Sequence, residues 1–164
     1  MLETDLPAVL AVQRLAYGDG YQESAAVLGA KLRLAPAACW VADDGEGALG
    51  YVFSHPWGAM PPPLHTALSD VPADACAMFL HDLAVVPAGR GGGIAARLFD
   101  RVRARAVASG LERICLVALA DARGFWARRG FVSARGRGGD ARLPAGYGAG
   151  AEFMELALPS GLSG

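Results

Sequence analysis

Charge is scarce in this chain, and so are cysteine and histidine. Only 19% of the 164 residues are Asp, Glu, Lys or Arg, and the formal net charge is -1. A duplex-binding surface needs concentrated positive charge, so nucleic acid is excluded as the main partner. Arg97, Arg101 and Arg105 do share a helix face, and a solvated face accounts for them as well as a partner does. The three cysteines, Cys39, Cys76 and Cys115, are widely spaced, odd in number and without a C-x-x-C pair. With only three histidines beside them, a metal centre is not expected. Cys39 and Cys115 sit in apolar strand-like runs and read as core thiols, which points to a reducing compartment. The opening Met1-Leu2-Glu3-Thr4-Asp5 is acidic and short, unlike a secretory leader. No apolar run approaches the ~20 residues that span a bilayer. The expected location is the cytoplasm, with no membrane partner.

Apolar residues are plentiful, at 53%, which is a globular composition. The length suits one compact domain over residues 1–164. Thr4 and Asp5 precede Leu6, Val9, Leu10, Val12 and Leu15, the pattern of a capped amphipathic helix. Gly18-Asp19-Gly20 breaks it, and Ser24 can cap a second helix ending near Leu34. Cys39 to Ala42 and Ala48 to Ser54 read as a hairpin around an acidic glycine turn. Pro56 through Pro72 reads as a surface excursion. Ala77 to Val86 is a buried strand. A long helix follows, with Ile94, Leu98, Val102 and Ala106 on its core face. Ile114 to Leu119 is a strand, Ala122 to Arg129 a short helix and Phe131 to Ala134 a strand. A glycine-rich loop, Gly136 to Gly150, leads to a last strand from Glu152 to Leu158. This order predicts an α/β fold, a mixed sheet with helices on both faces.

The chemistry concentrates where the buried strand meets the long helix. Arg90 is followed by Gly91, Gly92 and Gly93, and Ile94 and Ala95 open the helix. Residues without Cβ let the backbone lie against a ligand. The first N–H groups of a helix have no internal acceptor and carry the positive end of its dipole. A phosphate suits such a place. No Lys-Ser or Lys-Thr follows the glycines, so the nucleoside triphosphatase loop is excluded. The dinucleotide fingerprint fits only loosely. A glycine turn that opens a helix and holds no ligand remains the alternative.

This segment resembles the central motif of the GNAT superfamily of acetyl-CoA-dependent N-acetyltransferases, Arg/Gln-x-x-Gly-x-Gly/Ala between a strand and a helix. Downstream, Ala122-Arg123-Gly124-Phe125-Trp126-Ala127-Arg128-Arg129-Gly130-Phe131 resembles the family's A-x-x-F-Y-x-x-x-G-F. The resemblance is strong from Phe79 to Phe131. It implies a mostly antiparallel mixed sheet with a splayed central strand pair. It implies transfer of an acetyl group from acetyl-CoA to a primary amine, by direct attack in a ternary complex. The pantetheine arm would pair with Leu83, Ala84 and Val85, the diphosphate would sit on Arg90 to Ala95, and Phe125 and Trp126 would pack against the cofactor. A backbone N–H near Val85 would hold the oxyanion.

His81 and Asp82 are the candidate bases; in a regular strand they face opposite ways, so one of the two would face the site. The acceptor wall is placed at Tyr17, Tyr21 and Glu23, with His55 and Trp57 opposite and Asp19 or Glu23 holding the amine's charge. Three departures stand out. Only Met1 to Thr4 precede the first helix, where the family has a strand. Trp126 stands where the family has Tyr as general acid, which leaves water or Tyr147 for that role. Leu119 replaces the family's Asn. A small-molecule amine is the expected acceptor. A protein or peptide N-acetyltransferase and a non-catalytic acyl-CoA-binding module are the alternatives, and a homodimer is left open.

Overall fold

The computed structural model describes residues 1–18, 20–134, 143 and 146–159. The chain forms α1 (Leu6–Tyr17), α2 (Ala25–Leu34), β1 (Cys39–Asp43), β2 (Ala48–Trp57), β3 (Ala77–Val85), α3 (Ile94–Ala108), β4 (Arg113–Ala118), α4 (Arg123–Ala127), β5 (Val132–Ser133) and β6 (Glu152–Ala157). The strands lie in one sheet in the order β1-β2-β3-β4-β6-β5. Its ladders are antiparallel except β3–β4, which is parallel. α1 and α2 cover one face, where Val9, Val12, Leu28 and Leu32 pack on Tyr51, Phe53 and Ala84. α3 and α4 cover the other, where Ile94, Leu98, Phe99, Val102, Ala106 and Trp126 pack on Val52, Leu80 and Leu116. Each such Val, Leu, Ile or Phe side chain gains about 1.5–3 kcal/mol from burial. Among the described residues no helix is long and apolar enough to cross a membrane.

The local signals that set these elements differ from expectation in three places. Ser24 caps α2 as expected, accepting from Val27 N–H at 3.3 Å. Asp5 does not cap α1; its Oδ2 accepts from Leu2 N–H at 2.7 Å and locks a short 3-10 turn, Glu3–Asp5, ahead of the helix. On α1, Leu15 is exposed and Gln13 is buried, because Gln13 stands four residues beyond Val9 on the inward face and Leu15 does not. β2 runs on through Pro56 to Trp57. β1 stops opposite Phe53, so this end of β2 is paired only with β3, a setting that tolerates proline. No strand precedes α1 among the described residues; the Met1 ammonium instead donates to Cys39 O at 3.2 Å, at the start of the edge strand. Much of the glycine-rich stretch 136–150 lies outside the described residues.

Candidate active site

β3 and β4 pair over three positions, Met78 with Ile114, Phe79 with Cys115 and Leu80 with Leu116. Beyond them β3 follows β2 to Val85 and β4 follows β6 to Ala118, so the two strands part and leave a notch. A bulge marks the parting. Phe53 faces Asp82 and Ser54 faces Leu80, which leaves His81 as the extra residue. An extra residue bends and twists its strand. It also resets the alternation of side chains. His81 packs near Phe79 and His55 on the α1–α2 side, and Asp82 meets Tyr17 and Tyr51 on that same side. The expectation that these neighbours face opposite ways fails for this reason.

The open edge of β3 is set by the same alternation. Val86 N–H bonds Leu49 O on the β2 side, and Ala84 O lies 2.8 Å from where a Cβ on Gly50 would stand. Ala84 therefore spends its backbone groups on β2, while Leu83 and Val85 turn theirs to the notch. Directly beyond, Gly91 and Gly93 adopt φ of 82° and 76°, which L-residues disfavour. Gly93 occupies the N-cap position of α3 and has no side chain to cap it. Among the described residues, no acceptor takes a hydrogen bond from any N–H between Gly91 and Ala96. Ile94 itself is buried in the core, so only its backbone is available. Arg90 leans toward the end of α1, its Nη2 at 3.5 Å from Ala16 O. Arg97 folds back over the loop and donates to Gly92 O at 3.0 Å.

Behind the notch lies a cavity of about 550 Å³. Leu80 to Leu83, Leu116 and Val117 form its strand side, and Trp126 borders it from α4; Tyr17, Tyr21 and Glu23 come from α1 and the turn after it; Leu64, Tyr147 and Ala149 roof it. Tyr147 is buried and donates to Pro62 O at 2.9 Å, which ties the segment before β6 to the β2–β3 loop.

Two buried polar groups underlie the floor. In one, Asp82 Oδ1 accepts from the Tyr17 hydroxyl at 2.6 Å and Oδ2 from Tyr51 at 2.5 Å. Burial raises the Asp82 carboxyl and the two phenolic hydrogen bonds oppose that rise. Burial, reinforced by the Asp82 charge, pushes both phenols well above their ordinary value. In the other, Lys31 donates to both Glu23 oxygens at 2.6 and 2.7 Å. Lys31 is the chain's only lysine and is fully buried. Burial alone would raise the Glu23 carboxyl; its contacts with His81 and Lys31 outweigh that and lower it to about 2. Lys31 Nζ also meets His81 Nε2. Glu23 Oε1 stands 3.3 Å from the same nitrogen, while His81 Nδ1 is buried and finds no partner. Burial lowers the pKa of His81.

The model of the acetyltransferase (GNAT) family matches residues 6–131. The chain belongs to that family. Membership implies acyltransferase chemistry. This GNAT chain is similar in fold to the GphF GNAT-like decarboxylase, solved in complex with isobutyryl-CoA, at 22% identity over 96% of both chains and a TM-score of 0.71. It is also similar to Ard1 from Thermoplasma volcanium, at 15% identity over 96% of this chain and 94% of that one, with a TM-score of 0.73. A third likeness is to Rv2747 from Mycobacterium tuberculosis, solved with CoA and NLQ, at 19% identity over 96% of both chains and a TM-score of 0.68. No curated protein matches the sequence.

Of the GNAT acceptor wall expected from sequence, Tyr17, Tyr21 and Glu23 line the cavity, and Asp19 lies outside the described residues. His55 and Trp57 do not reach the cavity. His55 is buried between Trp57 and Phe79, with neither ring nitrogen hydrogen-bonded. Trp126 borders the cavity but is mainly a core residue, stacked edge-on with Phe99, Phe125 and Phe131. Phe125 stands outside it, with the Arg129 guanidinium 3.5 Å above its ring. Sequence reasoning missed Lys31, Tyr51, Leu64 and Arg97. Lys31 had a signal: it falls at the apolar spacing of Leu28 and Leu32, where a cation needs a buried partner.

Proposed function

We propose that this GNAT protein transfers the acetyl group of acetyl-CoA to a primary amine of a small molecule, with both substrates bound together. One observation carries the reading: the edge at Leu83 and Val85, which no strand pairs on the notch side, runs directly into the bare N–H groups between Gly91 and Ala96. An extended arm with amides suits the edge, and a diphosphate suits the helix start. Arg97, and Arg90 at the rim, add positive charge there. The acetyl group then lies in the notch, and a backbone N–H of Val85 is in place to hold the oxyanion. Holding amine and thioester together supplies ~7 kcal/mol or more of barrier reduction.

Charge favours an amine. Lys31 balances Glu23 and Arg90 balances Asp121, so an ionised Asp82 leaves a negative surplus beside the cavity. The roof from Leu64 and Tyr147 favours a compact acceptor over an extended peptide. Of the two candidate bases, Asp82 is the better placed. Tyr17 connects it to the cavity, whereas His81 Nε2 is turned to Lys31 and Glu23.

The test is thiol release from acetyl-CoA over a panel of small primary amines and short peptides, beside calorimetry of acetyl-CoA binding. Turnover with a compact amine is expected, with peptides poor. Turnover with peptides alone would move the acceptor to the protein class. Binding without release from any acceptor would make the chain a CoA-binding module, and no binding at all would remove the site.

A further inference from the structure

The cavity lining includes a carboxylate, Asp82, and both of its oxygens accept from phenols, Oδ1 from Tyr17 and Oδ2 from Tyr51. The two phenols are not equivalent. Tyr51 is fully buried and does not line the cavity. Tyr17 does line it, and its oxygen also stands 3.1 Å from the Leu83 carbonyl, on the open edge assigned above to the thioester arm. A phenol has one proton and more than one lone pair. The Tyr17 oxygen therefore touches the buried carboxylate and the reaction space at once.

We propose that Tyr17 is a catalytic residue that carries one proton from the attacking nitrogen to Asp82 and then back to the departing sulfur. This rests on the acetyl-transfer reading. A neutral amine forms its bond to the acyl carbon and loses a proton to the Tyr17 oxygen, while the phenolic proton of Tyr17 passes to Asp82 Oδ1. The C–S bond then breaks and its electron pair stays on sulfur. The thiolate takes a proton from Tyr17, and Asp82 returns its own to the phenol. The products are the amide and the free thiol, one proton has moved from nitrogen to sulfur, and both side chains end as they began.

Three nearby groups are less suited to this task. The Trp126 indole N–H donates a hydrogen bond without giving up its proton. Tyr147 gives its hydrogen bond to Pro62. The His81 side chain is 2% exposed, and its Nε2 faces Lys31 and Glu23.

The experiment compares Tyr17→Phe with Tyr51→Phe, which removes an equal hydrogen bond from Asp82 away from the cavity. Tyr17→Phe is expected to lower kcat at least a hundredfold, with acetyl-CoA binding within threefold of wild type and a cooperative melt. Tyr51→Phe is expected to lower the plateau kcat less than threefold and to move the acid limb of the pH profile to higher pH. Asp82 acts through Tyr17 and must be ionised to accept, and with one donor gone it keeps its proton longer. The charges facing it are His81 on its own strand, Glu23 after α1 and Lys31 on α2, and all three stay in both variants. Should Tyr17→Phe fail to fold, 2,3-difluorotyrosine at position 17 keeps the shape and makes the phenol more acidic, and kcat should then change at least threefold. Tyr17→Phe within threefold of wild-type kcat, equal losses in the two variants, or a fluorinated enzyme with wild-type kcat would overturn the relay alone. A wild-type protein that releases no thiol with any acceptor would overturn the acetyl-transfer reading and the relay with it.

Discussion

His55 shows what a single buried side chain does to this protein. Its two ring nitrogens lack partners and its surface is 1% exposed. Burial, with the His81 and Lys31 charges nearby, lowers its pKa from the ordinary 6.5 to about 3. The folded state thus refuses a proton that the unfolded chain takes up. The stability this represents is complete above pH 6.5 and is lost as pH falls from 6.5 toward 3, by about 1.4 kcal/mol per unit in the steep part. By pH 5 the loss is about 2 kcal/mol. His55→Phe keeps the ring contacts and removes the titration. Urea unfolding at pH 7 and pH 5 should show a smaller difference between the two pH values in the variant, by about 2 kcal/mol. Equal differences in variant and wild type would show that His55 is protonated inside the fold. At this scale the sequence was only partly readable. His81 and Asp82 were visible as a polar pair in an apolar strand. Which way each points depends on a bulge, and a bulge is a property of two paired strands rather than of either one.

The strand, glycine turn and helix around Arg90 were the most readable element, because the glycines and the apolar spacing of α3 are both local signals. The division of labour within them was not. Leu83, Ala84 and Val85 look alike in sequence, and only the register with β2 shows that Ala84 is spent on that strand. The glycines also differ from one another. Gly93 has a positive φ, so any side chain there strains the backbone. Gly92 has no such restriction, and a Cβ on it would sit 3.5 Å from Gly89 O, an ordinary contact. Gly92→Glu is therefore the cleaner probe of the proposed phosphate seat, since it brings a carboxylate there without forcing a left-handed residue. Calorimetry should show acetyl-CoA binding weakened at least a hundredfold. The melting temperature should stay within about 2 °C, as expected for a surface change of under ~0.5 kcal/mol. Unchanged affinity would move the diphosphate away from the start of α3.

The cavity exists only at the level of the whole molecule. Tyr17, Leu64, Trp126 and Tyr147 are far apart in sequence and meet because the sheet brings α1, the β2–β3 loop, α4 and the segment before β6 to one notch. No local pattern announces such a meeting, and His55 and Trp57, closer in sequence to Tyr17 and Glu23, resemble wall residues more than Leu64 or Tyr147 do. Tyr147 offers a test of the assembly. Its hydroxyl donates to Pro62 O across the roof, and a hydrogen bond of this kind contributes about 0.5–1.5 kcal/mol. If it holds the roof over the acceptor, Tyr147→Phe should raise KM for the amine by about 2–10-fold, the same free energy read as an equilibrium ratio. kcat and acetyl-CoA affinity should change little, because neither the phosphate seat nor the Tyr17–Asp82 contact is touched. Larger amines should gain relative to small ones. The opposite pattern, a large fall in kcat at constant KM, would mean that the Tyr147 proton takes part in the chemistry, and the route of the proton to sulfur would then run through the roof rather than the floor.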